Sequence, residues 1–235
     1  MVFPKPPLWI GPCRETLFSG ARVLGLEMDA QKAASLLAYL TLLEQWNHVY
    51  NLTAIRSPSA MLTHHILDTL AVMPFLPRIY RMLDVGSGAG IPGVILAIML
   101  PESQVSLVEA VRKKGAFLTQ VRQTLQLGNL TVRTARLEKA GMDGKFDAII
   151  SRAFSSLGRF AHLSLPHLSE EGCLYAMKGG VSESEMDEIP SGLVLSSVIP
   201  LRVPFLSAER HLLVLKREPP FAPGASSGEL MVHHG

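Results

Sequence analysis

Apolar positions along the chain keep one period at first and then another. From Met28 to Tyr50 the residues Leu36, Leu37, Leu40, Leu43, Trp46 and Tyr50 recur at steps of three or four, the spacing of one helix face. Ser59 to Phe75 reads as a second helix, started by Ser57-Pro58 and stopped by Pro74 and Pro77. Residues 14–77 therefore predict a helical cap without strands. From residue 78 to 217, short apolar runs alternate with helical ones. Met82–Val85, Gln104–Glu109, Leu130–Thr134, Phe146–Ser151 and Gly172–Met177 read as strands. The intervening helices are about Gly90–Leu100, Arg112–Leu127 and a segment ending near Leu168. That alternation predicts an α/β domain with a doubly wound, mostly parallel sheet. Leu193–Val203 and Arg210–Leu215 follow without a helix between them and predict an antiparallel pair closing one edge. Residues 1–13, rich in proline, and the tail 218–235 are expected to lack fixed structure.

Composition adds a core and little else. Hydrophobic residues make up 48% and aromatic residues 6% of the 235, so the core should be aliphatic. Prolines interrupt the N-terminal run, which excludes a signal peptide of the usual kind. The longest apolar stretch, Ile91–Leu100, holds Pro92 and is too short for the ~20 residues a bilayer requires. Two distant cysteines, Cys13 and Cys173, fit a reducing compartment rather than a disulfide framework. A cytoplasmic protein is expected, and nothing in the pattern demands more than a monomer.

Net charge is only +2, yet its distribution is uneven. Between Val111 and Phe160 ten Lys or Arg face three acids, Glu138, Asp143 and Asp147, while Glu183, Glu185, Asp187 and Glu188 carry compensating charge elsewhere. Such a region suits an anionic partner, although a solvated helix face accounts for it equally well.

The chemistry concentrates in Asp84-Val85-Gly86-Ser87-Gly88-Ala89-Gly90-Ile91-Pro92-Gly93, a glycine turn that leaves a strand and opens a helix. This is where parallel sheets bind ligands. Gly88-x-Gly90-x-x-Gly93 matches the dinucleotide fingerprint, and Glu109, ending the next strand, suits a ribose diol. Three features favour S-adenosylmethionine over a dinucleotide. Asp84 places a carboxylate before the glycines, facing the ligand, where it repels a pyrophosphate but attracts an ammonium or sulfonium. Pro92 in the first helical turn removes an N–H that a pyrophosphate would use. Little chain remains for a second catalytic domain.

Further segments sharpen the reading. Tyr50-Asn51-Leu52-Thr53-Ala54-Ile55-Arg56, His65-Ile66-Leu67-Asp68-Thr69-Leu70, Ile150-Ser151-Arg152-Ala153-Phe154, Tyr175-Ala176-Met177-Lys178-Gly179 and Glu209-Arg210-His211-Leu212 accompany the glycine turn. With them the chain resembles, from about Trp46 to Lys216, the bacterial glucose-inhibited division protein B family, methyltransferases of guanine N7 in small-subunit (16S) ribosomal RNA. Thr69 stands where the family is expected to hold serine.

The resemblance implies a class I, Rossmann-like methyltransferase that uses S-adenosylmethionine and acts on ribosomal RNA, free or within a small subunit or assembly intermediate. It implies cofactor contacts at Gly86, Ile91, Leu137, Glu138 and Arg152, to which the glycine turn and its acids add Asp84, Ser87, Gly88, Gly90 and Glu109. Arg136, Arg152 and Lys178 are the expected catalytic positions, acting on RNA phosphate, the cofactor carboxylate or guanine O6. Arg112, Lys113, Lys114, Arg136, Lys178 and Arg210 are the expected RNA contacts.

Each of these has a plainer alternative: Arg152 paired with Glu138, Lys178 merely exposed, Arg112–Lys114 a solvated helix start. Asn51 and His65 are expected to organise the cap. The neighbouring His64 and His65 point to different helix faces, so no metal is expected. Guanine N7 carries a free lone pair, so catalysis by positioning and electrostatics, without a general base, is the expectation. A methyltransferase acting on a small molecule or protein, a nicotinamide-dependent oxidoreductase and a non-catalytic RNA-binding protein are the competing classes.

Overall fold

The computed structural model describes residues 7–152, 154 and 156–218. Residues 1–6 and 219–235, the greater part of the two segments expected to lack structure, lie outside the described residues. Helices come first. α1 (Ile10–Val23) buries Cys13, Leu17, Gly20 and Ala21 along one face. Four residues at that spacing form an apolar stripe, and Gly20 lies so close to Leu67 that an added β-carbon would fall 2.6 Å from its side chain. Here the sequence expectation is corrected: Ile10–Cys13 were assigned to an unstructured leader and instead form the first turn of α1. Cys13 joins the apolar cluster that also holds Leu17, Leu37 and Leu67, partners that no local pattern reveals.

α2 (Ala30–Tyr50) starts at Asp29, whose carboxylate accepts from the Lys32 N–H at 2.7 Å, and ends at Asn51 in the left-handed region with φ 50°. The next helix starts on the Ser57 hydroxyl as α3 (Pro58–Met61), widens into a π turn over Leu62–Leu67 and finishes as α4 (Asp68–Leu70). A π turn re-aims the side chains it contains and is frequent at functional sites.

The sheet follows: β1 (Arg81–Val85), α5 (Gly93–Met99), β2 (Gln104–Val108), α6 (Arg112–Thr124), β3 (Leu130–Arg133), β4 (Phe146–Ser151), α7 (Leu157–Ser164), β5 (Leu168–Lys178), α8 (Glu183–Met186), β6 (Leu193–Pro200) and β7 (His211–Arg217). The order across the sheet is β3-β2-β1-β4-β5-β7-β6. The first five strands run parallel, and β7 pairs antiparallel with both β5 and β6. Several boundaries differ from the sequence reading, two of them beside a proline. α5 begins at Gly93, after a cis Ile91–Pro92 bond, so Pro92 precedes the helix. α7 ends at Ser164, because Pro166 stops it, and Leu168 already opens β5.

Neighbouring strand residues pack to opposite faces. Met82, Ile150, Tyr175 and Leu212 join one apolar cluster with Leu36, Leu40, Leu43, Ile66 and Leu67 of the cap and Phe117 of α6. Leu83, Ile149, Leu174 and Leu213 join a second with Leu157 and Phe160 of α7. All seven residues of α5 are buried, which explains why this helix is apolar all round: it lies within the cluster that links the cap to the sheet. No helix of the described residues is long and apolar enough to cross a membrane.

Strand order reverses between β1, which pairs with β2 on one side, and β4 on the other. That switch point opens a crevice at the carboxyl ends of the two strands. Gly86–Gly93 after β1, and Arg152 and Phe154 after β4, border it.

Candidate active site

The glycine turn is pinned from both sides. The Gly86 and Ser87 N–H groups donate to the Val108 carbonyl at 2.9 and 3.2 Å. From the cap, the buried Tyr39 hydroxyl donates to the Ala89 carbonyl at 2.8 Å. Gly86 has φ +70°, and a β-carbon there would meet nothing nearer than Phe154 at 3.8 Å, so its open side faces space a ligand can fill. Gly93 serves packing: a β-carbon would fall 2.2 Å from Leu107 and 2.6 Å from the Asp84 carboxylate. Gly88 and Gly90 lie between them with positive φ. Ser87 is buried, its hydroxyl donating to the Asp84 carbonyl, and Ile91 packs into the core.

Asp84 requires a correction. It does not face an open ligand space: it is fully buried beneath the turn, and its Oδ2 accepts from the Gly93 N–H at 2.9 Å. Its backbone sits mid-sheet between Leu107 and Ile150, so the short side chain stays under the loop it was expected to rise above. Burial pushes its carboxyl up to about 7, against the pull of the Gly93 N–H. Oδ1 has no hydrogen-bond partner. A buried acceptor left unmatched is costly and suits a site completed by a positive group or a bridging water.

Glu109 is also buried, and its oxygens are already engaged: Oε2 accepts from the Gly88 N–H at 2.8 Å and Oε1 from the Val111 N–H at 2.7 Å. A carboxylate has about four lone-pair sites, so capacity for a diol remains while the backbone holds the group in place.

Between these elements lies a cleft of about 190 Å³, walled by Val85, Gly86, Val108, Ala135, Leu137 and Phe154, with Arg136, Glu138 and Arg159 also lining it. Leu137 is buried and Glu138 exposed, at the start of a short 3₁₀ turn over Leu137–Lys139. Apolar walls beside a glycine, with one acid and two arginines at the edge and Glu109 held under the neighbouring Gly88, fit a flat heteroaromatic ring joined to a polar, charged chain, which is the make-up of S-adenosylmethionine. Phe154, held by Phe160 at 5.7 Å between ring centroids, was not singled out from sequence as a wall. Its membership in the Ser-Arg-Ala-Phe segment was the available signal.

A second, polar cavity of about 230 Å³ is lined by Asp68, Arg152, Met177, Lys178, Gly179 and Arg210. Arg152 follows β4, and its Nε lies 3.3 Å from Asp68 Oδ2. Its Nη1 lies 3.0 Å from His65 Nδ1. A guanidinium only donates, so Nδ1 must accept and Nε2 must carry the proton, which it donates to the Thr53 hydroxyl at 3.0 Å. Thr53 is held in turn by Asn47, whose side-chain oxygen accepts the Thr53 N–H at 2.9 Å. Burial, reinforced by the Arg152 charge, lowers the His65 imidazole to about 3. Arg210 Nε donates to Asp68 Oδ1 at 3.0 Å. Burial raises the Asp68 carboxyl, opposed by Arg152 and Arg210.

The structure therefore corrects the pairing considered for Arg152: its carboxylate partner is Asp68 of the cap, not Glu138. Lys178 is not merely exposed; its ammonium pairs with Glu185 of α8. Arg152, Lys178 and Arg210 come together, whereas Arg136 lines the apolar cleft instead. Asn51 accepts from Arg56 at 2.7 Å within the cap. Asp68 was missed as a site residue, although its i, i+3 spacing from His65 placed both on one helix face.

Arg112 and Lys113 are exposed and Lys114 half-buried in the first turn of α6, a turn with no acid. Cations at a helix N-terminus oppose the helix dipole. Among the described residues, no three His, Cys, Asp or Glu gather as a metal site.

Comparison with known proteins agrees with this geometry. Residues 32–213 match the family described as GidB, rRNA small subunit methyltransferase G. The ribosomal RNA small subunit methyltransferase G of Azoarcus sp. strain BH72 is 46% identical over 206 residues, covering 88% of this chain and 97% of that protein. The protein of the same name from Leptothrix cholodnii is 44% identical over 210 residues, covering 87% and 96%. Among solved structures, a SAM dependent methyltransferase from Aquifex aeolicus shares the fold with TM-score 0.52 at 16% identity, covering 68% of this chain and 93% of that one. The coverage and identity of the sequence relatives decide the assignment: the chain belongs to the rRNA small subunit methyltransferase G family.

Proposed function

We infer that the chain transfers the methyl group of S-adenosylmethionine to N7 of a guanine in small-subunit (16S) ribosomal RNA. The observation that carries this reading is the pair of clefts bordering the end of β4. Phe154 walls the apolar one beside Gly86, and Arg152 walls the polar one beside Lys178. A cofactor cleft and an acceptor cavity sharing one strand end is the arrangement that methyl transfer requires.

Gly86, Leu137 and Phe154 would hold the adenosine portion, with Glu109 and Glu138 for its hydroxyl and amino groups. Asp84, buried beneath the turn, would hold the loop through the Gly93 N–H rather than touch the cofactor directly. When bound, S-adenosylmethionine supplies a methyl group on a sulfonium, accepted by the N7 lone pair while the C–S electron pair returns to sulfur. N7 carries no proton, so no residue need act as a general base, and none of the pairs in the polar cavity resembles a nucleophile with its base. Arg152 and Lys178 supply positioning and charge; Arg210 and Arg136 flank them. The exposed cations at the start of α6 are suited to RNA phosphates, where attraction outweighs the dipole penalty. We place the chain in the cytoplasm as a monomer acting on RNA within a small subunit or its assembly intermediate.

The test is transfer from labelled S-adenosylmethionine to small subunits from cells lacking the endogenous enzyme, with mapping of the product. A single N7-methylguanine is the expected result. No transfer to subunits or free ribosomal RNA, despite tight cofactor binding, would overturn the substrate and leave a methyltransferase with another acceptor.

A further inference from the structure

The polar cavity has a composition that the transfer reaction alone does not explain. Three cations line it, Arg152, Lys178 and Arg210, and one carboxylate, Asp68. Asp68 is 1% exposed and reaches the cavity from the cap, not from the sheet. Its two oxygens are treated unequally. Oδ1 accepts a hydrogen bond from Arg210 at 3.0 Å. Oδ2 lies 3.3 Å from Arg152 Nε without forming a hydrogen bond and has no other partner. Native structures seldom leave a buried carboxylate oxygen unmatched.

We propose that Asp68 selects the target base: its carboxylate accepts from N1–H and the N2 amino group of the guanine, seated in this cavity with O6 toward the cations. This rests on the functional reading above and deepens it. At about 230 Å³ the cavity admits one base, and enzymes that modify a base take it out of the stack and read its pairing edge. Along that edge guanine presents one acceptor and then two donors. The acceptor matches a cation, and the two donors match a carboxylate. Adenine and cytosine alternate differently, and uracil has a single donor, so none of them satisfies Asp68 with both hydrogen bonds. This orientation leaves N7 unliganded for attack. Arg152, its side chain 22% exposed, turns from Oδ2 as the base enters.

Charge argues the same way. One positive charge moves onto the guanine ring during transfer, and a cavity lined only by cations would oppose it. A carboxylate on N1–H, whose acidity rises as N7 is alkylated, strengthens its hydrogen bond as that charge arrives.

Inosine tests this directly, since it keeps N7, O6 and N1–H and lacks only the N2 amino group. Small subunits are reconstituted with inosine replacing guanosine at the mapped position, and kcat/KM is measured for the wild-type chain and for Asp68→Asn. The wild-type chain is expected to lose about 10- to 100-fold on inosine, the worth of one hydrogen bond to a charged group. Asp68→Asn is expected to lose a similar factor on guanosine and little more when inosine is added. Equal wild-type rates on the two substrates would overturn the proposal, and that comparison stands even where the variant does not fold. Full losses that multiply would assign Asp68 to structure alone, again overturning it. Absence of transfer to guanosine subunits is a different result, which removes the functional reading itself and the Asp68 role with it.

Discussion

Arg210 Nε donates to Asp68 Oδ1 at 3.0 Å across 142 positions of sequence, tying the start of β7 to the cap. With Arg152 on the other oxygen, one buried carboxylate holds two guanidiniums from different parts of the sheet. Removing one partner from such a group leaves the buried charge with half of its compensation. Arg210→Met is therefore expected to cost about 1–3 kcal/mol of stability, less than loss of both partners, because Arg152 stays beside Asp68. Denaturant unfolding of the ligand-free chain measures this; an unchanged midpoint would show that solvent already supports the carboxylate.

Asp84 should give the ligand-free chain a pH dependence of definite sign. Burial holds its carboxyl at about 7 when folded, against 3.8 for an ordinary aspartate. The folded state thus holds the proton more tightly. The associated stability is complete below about 4 and is lost as pH rises toward 7. Melting temperatures of wild type and Asp84→Asn, compared across that range, should converge or cross as the wild-type contribution disappears. Parallel curves would argue against a buried, protonating Asp84.

His65 acts in the opposite direction. Lowered to about 3 from 6.5, its imidazole stays neutral in the folded state while the unfolded chain takes up a proton. Its contribution is present above pH 6.5 and is lost as pH falls toward 3. Imidazole resonances should therefore remain flat from pH 8 to 5, with the proton on Nε2. A titration near 6.5 would mean that Nδ1 does not accept from Arg152.

Two glycine substitutions should separate binding from packing. Gly86→Ala meets open space at φ +70° and is expected to cost about 1–2 kcal/mol from backbone strain, while weakening cofactor binding. In Gly93→Ala the new methyl group overlaps Leu107 and Asp84, a clash that costs about 1–3 kcal/mol or more in a packed core. Thermal unfolding beside cofactor titration distinguishes them: excess loss of affinity belongs to Gly86, excess loss of stability to Gly93.

The first turn of α6 predicts opposite effects on binding and stability. Replacing Arg112 and Lys113 by glutamine removes two cations from a helix N-terminus, which favours the free chain by about 0.3–1 kcal/mol each. The same variant should bind small subunits more weakly, with a shallower salt dependence. Reduced stability with unchanged binding would return these residues to the solvated surface.

What lies in contiguous residues was readable without the structure. The change from helical period to alternating strands and helices predicts the parallel sheet and its antiparallel edge, because period and turn chemistry are properties of neighbours in sequence. The glycine turn is placed on the cofactor side by the same means, since it follows a strand end, whereas Leu137 and Glu138 are placed there only by the resemblance to a known family. Side-chain partners across long separations were not readable. Asp68 rather than Glu138 meets Arg152 because strand order brings the end of β4 under the π turn, and a carboxylate's partner depends on which segments are buried together. Ile10–Cys13 are helical because the cluster that links the cap to the sheet offers α1 a surface to bury, against the prolines that precede it. Arg136 separates from Arg152 and Lys178 because β3 and β5 lie on opposite sides of the switch point. Local sequence determined the elements and the loop that turns between them; burial and topology decided which charges meet at their ends.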